Sequence, residues 1–214
     1  MTSWFDTARF GMFVHWSHCS QQGVELSWPL VGGAFTTPYT RAMPVEQYHA
    51  SAATFDPRRY DPGEWARMAK RAGMTYAVFT TKHHDGYAMY DTETSDYGVM
   101  HSPYGRDIFR GFVDAMRAEG IRIGVYFSLI DWHHTDYPAT TDADQPYVFG
   151  KWKQPQPEAW ARFTGVMFAQ IRELLTNYGK IDVIWFDGGW ERSTVQWRSK
   201  ELEAMIRELQ PTIL

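Results

Sequence analysis

Four short runs of strand length constrain this chain most: "FGMFVHW" (Phe10 to Trp16), "MTYAVFTTKHH" (Met74 to His84), "IRIGVYFS" (Ile121 to Ser128) and "IDVIWFD" (Ile181 to Asp187). Each is apolar or aromatic at successive positions rather than at alternate ones, the pattern of strands covered on both faces in a parallel sheet. Helical segments separate them. "DPGEWARMAKRAG" has Asp61 as a cap, Pro62 at the first helical position, an apolar stripe of Trp65, Met68, Ala69 and Ala72, and Gly73 as a stop. Asp107 to Gly120 repeats the design with Ile108, Phe112, Val113 and Met116. A longer helix is expected from Pro157 to Tyr178 with Trp160, Phe163, Met167, Ile171, Leu174 and Leu175 inward, and a last one from Thr194 to Leu209. The closing "PTIL" reads as the beginning of another strand.

Repeated strand–helix units build either an open doubly wound sheet or a (β/α)8 barrel. No Gly-x-Gly-x-x-Gly or Walker-type loop follows any strand, so the phosphate signature of the nucleotide-binding open sheets is missing and the barrel is favoured. The repetition is of supersecondary units, not of sequence. At 214 residues the chain is about one domain, 1–214, and a typical barrel needs about 250 residues. Four strands and a start therefore predict an α/β, (β/α)8 TIM-barrel-like fold of which the first half, about four to five β/α units, is present. Such a half-barrel leaves open edges, which invites self-association.

Several function classes are disfavoured by composition. A net charge of -4 offers nothing to a nucleic-acid backbone or an anionic membrane. No apolar run approaches the ~20 residues of a transmembrane helix, and no secretory leader is visible, so a soluble cytoplasmic protein is expected. Cys19 has no internal partner for a disulfide. Aromatic residues reach 16%, enough to fill a core or to line a pocket that stacks on the apolar face of a sugar or base.

In a parallel barrel the C-terminal strand ends form the active face. Here they carry His15 and Trp16, then Lys82, His83, His84 and Asp85, then Tyr126 and Ser128, then Trp185 and Asp187. Any one of them could simply bond a neighbouring turn; four such endings in succession point to a site. On a regular strand His83 and His84 point to opposite faces, so only one is expected inside. A metal held by His15, one of those two histidines and Asp187 is the weaker reading, because the usual zinc spacing is absent, and neither metal nor cofactor is expected. Gly-x-Ser-x-Gly is absent too, which removes the common serine nucleophile. A carboxylate among imidazoles and indoles suits a polyhydroxylated ligand and an oxocarbenium-like transition state.

The segments "ARFGMFVHWSHCS", "FDPRRYDPGEWARMAKRAGMTYAVFTTKHHDGYAMYDT", "GRDIFRGFVDAMRAEGIRIGVYFSLIDWH" and "LLTNYGKIDVIWFDGGW" resemble the N-terminal part of the α-L-fucosidases of glycoside hydrolase family 29. The resemblance implies a (β/α)8-like catalytic domain, usually followed by a β-sandwich, and retaining hydrolysis of terminal α-L-fucosides on an oligosaccharide or glycoconjugate. It assigns Asp187 of "WFDGG" as nucleophile and His15, His83, His84, Tyr126 and Trp185 as sugar binders. Glu25 of "GVELSWPL" is the nearest match to a sugar-site glutamate. Ser17 stands where the family usually has Gly. The family's general acid/base is expected beyond Leu214, and Glu191, Asp131 and Asp85 are the carboxylates that could stand in. The chain alone is therefore expected to hydrolyse little or nothing, and the rival readings are a fucose-binding or pairing half-barrel and a metal-dependent hydrolase.

Overall fold

The computed structural model describes residues 4–32, 43–138 and 140–214. Strands β1 (Gly11–Val14), β2 (Tyr76–Lys82), β3 (Arg122–Ser128) and β4 (Val183–Asp187) form one parallel sheet in the order β1-β2-β3-β4. The six α-helices among these residues are α1 (Trp4–Thr7), α2 (Val45–Ala50), α3 (Pro62–Arg71), α4 (Ile108–Ala118), α5 (Pro157–Asn177) and α6 (Ser199–Leu209). Strand order equal to chain order separates the two candidate architectures. A doubly wound sheet reverses direction at a switch point, and this one does not.

The sheet is also curled. Register puts Phe13 beside Val78, Val78 beside Gly124, and Gly124 beside Val183, with Tyr126 beside Trp185 and Ser128 beside Asp187 one and two layers higher. Phe13 on β1 and Trp185 on β4 lie two strands apart from contact, about 14 Å in a flat sheet with upright side chains. Their ring centroids are 5.5 Å apart. Only a sheet rolling toward a barrel brings them together, and the concave face so formed holds Phe13, His15, Tyr126, Trp185 and Asp187.

The convex face carries the helices. Phe79, Val125 and Phe127 are buried there, and the Phe79 ring meets Phe112 of α4 at 4.8 Å. Burying each such side chain contributes about 1.5–3 kcal/mol. The expected cap residues act as caps: Asp61 accepts from Glu64 N at 2.9 Å and Asp107 from Arg110 N at 2.8 Å. The inward stripes of α4 and α5 are as expected, with Trp160 half-buried.

Two expectations need correction. In α3 the buried positions are Ala66 and Ala69, whereas Met68 is 45% exposed and Ala72 is exposed. The rest of the stripe lines, with Met12, Val14 and Trp16, an open groove of about 520 Å³ on the outer flank of β1. The stripe was inferred for a helix covered on both flanks, and among the described residues only the α4 side is covered. The last helix begins at Ser199, not Thr194, because Ser193 and Gln196 close a turn through Gln196 Oε1 and Arg198 takes a left-handed conformation (φ 53°). The reading of "PTIL" holds: Leu214 N donates to Asp182 O (3.0 Å) and Leu214 O accepts from Ile184 N (2.8 Å), so this residue pairs with β4. No helix among the described residues is long and apolar enough to cross a membrane.

Candidate active site

The site grows from a fault in β2. Thr80 pairs with Tyr126 but Lys82, not Thr81, pairs with Phe127, so β2 carries one extra residue there. A bulge of this kind re-aims the side chains that follow it. Lys82 turns to the convex side, fully buried, its Nζ 4.5 Å above the Phe127 ring and 3.2 Å from Asp131 Oδ2. The strand then ends, and His83 and His84 follow in a turn with ring centroids 4.2 Å apart. The regular-strand expectation that only one of them faces inward is therefore wrong: one imidazole nitrogen of each lies within 4.8 Å of the other and of an Asp187 oxygen.

Each residue of "KHHDG" has a separate anchor. His83 Nδ1 meets Ser27 Oγ at 2.6 Å, and His84 Nδ1 meets Ser128 Oγ at 2.6 Å. Asp85 accepts from Tyr48 OH (2.6 Å) and lies 3.6 Å from His18 Nε2. Gly86 has φ 80°, and a Cβ there would stand 2.2 Å from Asp131 Oδ1, so this turn requires glycine twice over.

At the β4 end Asp187 is held at both oxygens. Tyr126 OH donates to Oδ2 at 2.6 Å and Gly188 N to Oδ1 at 2.7 Å. Burial, and then the Asp187 charge, push the Tyr126 hydroxyl far above its ordinary pKa, so it stays a donor. Burial lowers the pKa of His15, and takes that of His84 to about 3; burial and then His84 hold His83 well below its usual value. All three imidazoles are thus neutral at pH 7. His15 is exposed, 2.6 Å from Thr80 Oγ1 through Nδ1, with its ring 4.8 Å from Tyr126 and 5.3 Å from His83. The His83 and Tyr126 rings lie nearly parallel (11°) at 5.5 Å.

Of the residues expected from sequence, His15, His83, His84, Tyr126 and Asp187 come together. Trp185 is 54% exposed on the concave face and reaches the group through Phe13, whose ring also touches His15 (4.9 Å) and Tyr126 (5.8 Å). Glu25 is exposed in the loop after β1, and its field, with that of Asp187, opposes the burial effect on His15. Sequence reasoning missed Phe13, two residues before His15 and so on the same strand face, a signal that was available. It also missed Ser27, Trp28 and Trp190 as site residues; the two indoles pack edge-on against His84 at 5.6 and 5.4 Å. Ser27 precedes and Trp28 begins a three-residue 3-10 turn, and Trp190 lies in another, segments too short for periodicity to mark them.

What can the His83–His84–Asp187 group hold? Three atoms no more than 4.8 Å apart can all be reached from a point within about 2.8 Å of each, so one hydroxyl oxygen can hydrogen-bond to all three. Zinc, with bonds of about 2.0–2.1 Å, needs ligand atoms about 3.3 Å apart in a tetrahedron. The His84 Nε2 to Asp187 Oδ2 separation is 3.9 Å, and that oxygen already accepts from Tyr126. His15 is not part of the close group. The spacing accommodates a hydroxyl, whereas the 3.9 Å pair is wider than tetrahedral zinc ligands stand.

The other carboxylates on these loops are committed elsewhere. Asp131 takes Lys82 and the His133 and His134 amides. Glu191 is buried and accepts from Trp132 Nε1, Tyr137 OH and Tyr147 OH. Burial would raise the pKa of Asp85, but the His18 and Tyr48 hydrogen bonds outweigh it and hold the group ionised. Each of the three is already engaged by partners of its own.

A curled parallel sheet in chain order whose strand ends gather neutral imidazoles, a phenol and a carboxylate is the arrangement of a β/α-barrel active face. The chain belongs to the alpha-L-fucosidase family, whose family model matches residues 1–214. It is 31% identical to the tissue alpha-L-fucosidase of Mus musculus over 96% of this chain and 44% of that protein, and 31% identical to that of Homo sapiens over 93% and 42%. Among solved structures, alpha-L-fucosidase isoenzyme 1 of Paenibacillus thiaminolyticus superposes with a TM-score of 0.82 at 43% identity, covering 99% of this chain and 48% of that one. A glycoside hydrolase family 29 fucosidase of Bacteroides thetaiotaomicron, trapped as a covalent intermediate with 2-fluoro-fucosyl fluoride, gives 0.80 at 30% identity, covering 98% and 46%. The chain spans a little under half the length of the curated relatives it matches. Its four β/α units are the first half of a (β/α)8 barrel.

Proposed function

We propose that this chain carries the fucose-recognising, nucleophile-bearing half of a retaining α-L-fucosidase acting on terminal α-L-fucosides of oligosaccharides or glycoconjugates. The observation that carries the reading is the gathering of His83 and His84 beside an Asp187 carboxylate steadied by Tyr126 and Gly188. In this reading an Asp187 oxygen attacks the anomeric carbon as the glycosidic C–O bond breaks, giving a glycosyl ester. A separate acid protonates the departing oxygen, then takes a proton from the water that cleaves the ester. The Tyr126 hydroxyl, donating to Asp187, stabilises the carboxylate charge that is lost as the ester forms and regained as it is cleaved. The neutral imidazoles of His15, His83 and His84 bind sugar hydroxyls, and Glu25 and Trp185 complete the sugar site at its rim. The partners of Asp85, Asp131 and Glu191 argue against each as the acid, and the reading gives that role to a residue outside these three.

Asp187→Gly in the complete enzyme should reduce turnover of an aryl α-L-fucoside by on the order of 10⁴-fold or more, as removal of a nucleophile does. Normal activity in that variant refutes the assignment. For the 214 residues alone a second reading is favoured by the committed carboxylates: sugar binding without hydrolysis. Calorimetry with L-fucose should then show binding while no product accumulates from the aryl fucoside, and full turnover would refute it.

A further inference from the structure

His83 and His84 are adjacent, both buried, and both bonded at Nδ1 by a serine hydroxyl, but the two serines are wired differently. Ser128 Oγ donates its single proton to Ile130 O at 2.9 Å. Toward His84 it can therefore only accept, which places the His84 proton on Nδ1 and leaves Nε2 a bare acceptor 3.9 Å from Asp187 Oδ2. Ser27 Oγ already accepts from the Asp85 amide at 2.8 Å, and among the described residues His83 Nδ1 is the acceptor within reach of its proton. That places the His83 proton on Nε2.

We propose that Ser27 and Ser128 lock His83 and His84 in opposite tautomers, so that the pair presents one donor and one acceptor and selects an unsubstituted sugar hydroxyl, which can accept from the first and donate to the second. Neither an ether oxygen nor a cation satisfies both nitrogens. An ether cannot donate to His84 Nε2, and a cation would meet the proton on His83 Nε2. The backbone supports the assignment. Ser27 is held at φ 61°, ψ -37°, a conformation that costs a non-glycine residue on the order of 1–3 kcal/mol and persists only where its surroundings over-determine it. Here the surroundings are the Tyr48 hydroxyl, which accepts from Ser27 N at 2.7 Å and donates to Asp85, together with the two bonds of Ser27 Oγ. Both histidines keep a single ring proton at neutral pH, because burial disfavours their charged forms. Ser27 and Ser128 are positioning residues, acting on the ligand through the rings.

The identity of the sugar rests on the proposed function; the tautomers do not. Long-range proton–nitrogen correlation spectra of the uniformly ¹⁵N-labelled 214-residue chain at pH 7 assign each ring nitrogen directly. The expected result is a protonated Nδ1 in His84 and a protonated Nε2 in His83. The same tautomer in both rings, or a rapid mixture in either, overturns the inference. Ser27→Gly keeps the left-handed backbone accessible while removing the hydroxyl, so it should fold and shift the His83 tautomer alone; Ser128→Ala should shift His84 alone. Each should weaken L-fucose binding by about tenfold in calorimetry, and retained tautomers in these variants overturn the lock. Opposite tautomers in a chain that fails to bind L-fucose would uphold the lock and refute the fucose reading.

Discussion

Asp131→Asn tests how the turn bearing His83 and His84 is held. Lys82 is completely buried, and Asp131 is its ion-pair partner at 3.2 Å. At an effective dielectric constant near 20 the attraction at that distance is about 5 kcal/mol. The aspartate is more than a counter-ion, since its Oδ1 also accepts from the His134 amide at 2.9 Å, a bond the asparagine oxygen can keep. The substitution thus isolates the charge. Breaking a buried pair by neutralising one partner costs about 3–5 kcal/mol. An independent ceiling agrees: shedding the Lys82 proton at pH 7, about 3.5 units below its ordinary pKa, costs about 4.8 kcal/mol at 1.36 kcal/mol per unit. With a urea slope of about 3 kcal/mol per molar, the unfolding midpoint should fall by more than about 1 M. The pH response is a second signature. Burial already lowers the Lys82 pKa in the folded parent, with Asp131 opposing, and losing Asp131 lowers it further. Unfolded chains hold the Lys82 proton more tightly than the folded variant does, so the variant should regain stability as pH rises from 7 to 9, and more so than the parent. Adding Lys82→Met removes the stranded charge and should recover most of the loss. A single variant within about 1 kcal/mol of the parent at pH 7, with no recovery at pH 9, refutes the reasoning.

Tyr126→Phe deletes a hydrogen bond to a carboxylate, a contact worth about 1.5–3 kcal/mol, so kcat/KM of the complete enzyme should fall roughly 10- to 150-fold; an unchanged value argues against Asp187 as the charged partner. Acid should destabilise the chain well before its carboxylates titrate. His84, with a folded pKa of about 3, and His49, about 4, both lowered chiefly by burial, take up protons near pH 6.5 only when unfolded. Stability therefore falls as pH drops below about 6.5, by about 1.4 kcal/mol per unit for each such histidine, and a urea midpoint that stays level from pH 7 to 5 contradicts it. The apolar groove along Met12, Trp16, Trp65 and Met68 should make the purified chain associate with a second copy. Sedimentation velocity would show a weight-average that rises with concentration, and a monomer at every concentration refutes it.

Much of the site was legible residue by residue. Strand ends in a parallel barrel share one face, so polar groups at four successive ends name their own neighbours without any distance being known. What could not be read was orientation. His83 and His84 looked like opposite-facing neighbours because period two was assumed through "TTKHH"; the extra residue at Thr80–Lys82 and the early end of β2 cancel that rule. The α3 stripe failed for a related reason. Met68 and Ala72 have the spacing of a buried face, but burial also needs a layer opposite, which no window of one helix contains.

The chain's own pattern therefore determined the class of fold, the face on which the site lies, and the residue types gathered there, because periodicity, caps and strand-end chemistry are local properties. Tertiary structure alone decided which nitrogen of which imidazole meets Asp187, which carboxylates are already taken, and that two serines, one in the loop after β1 and one at the end of β3, reach the histidines. Ser27 and His83 are 56 positions apart, and Ser128 and His84 are 44 apart. Hydrogen bonds over such separations depend on how the sheet rolls and where a strand slips by one residue, and neither is written in any local stretch of sequence.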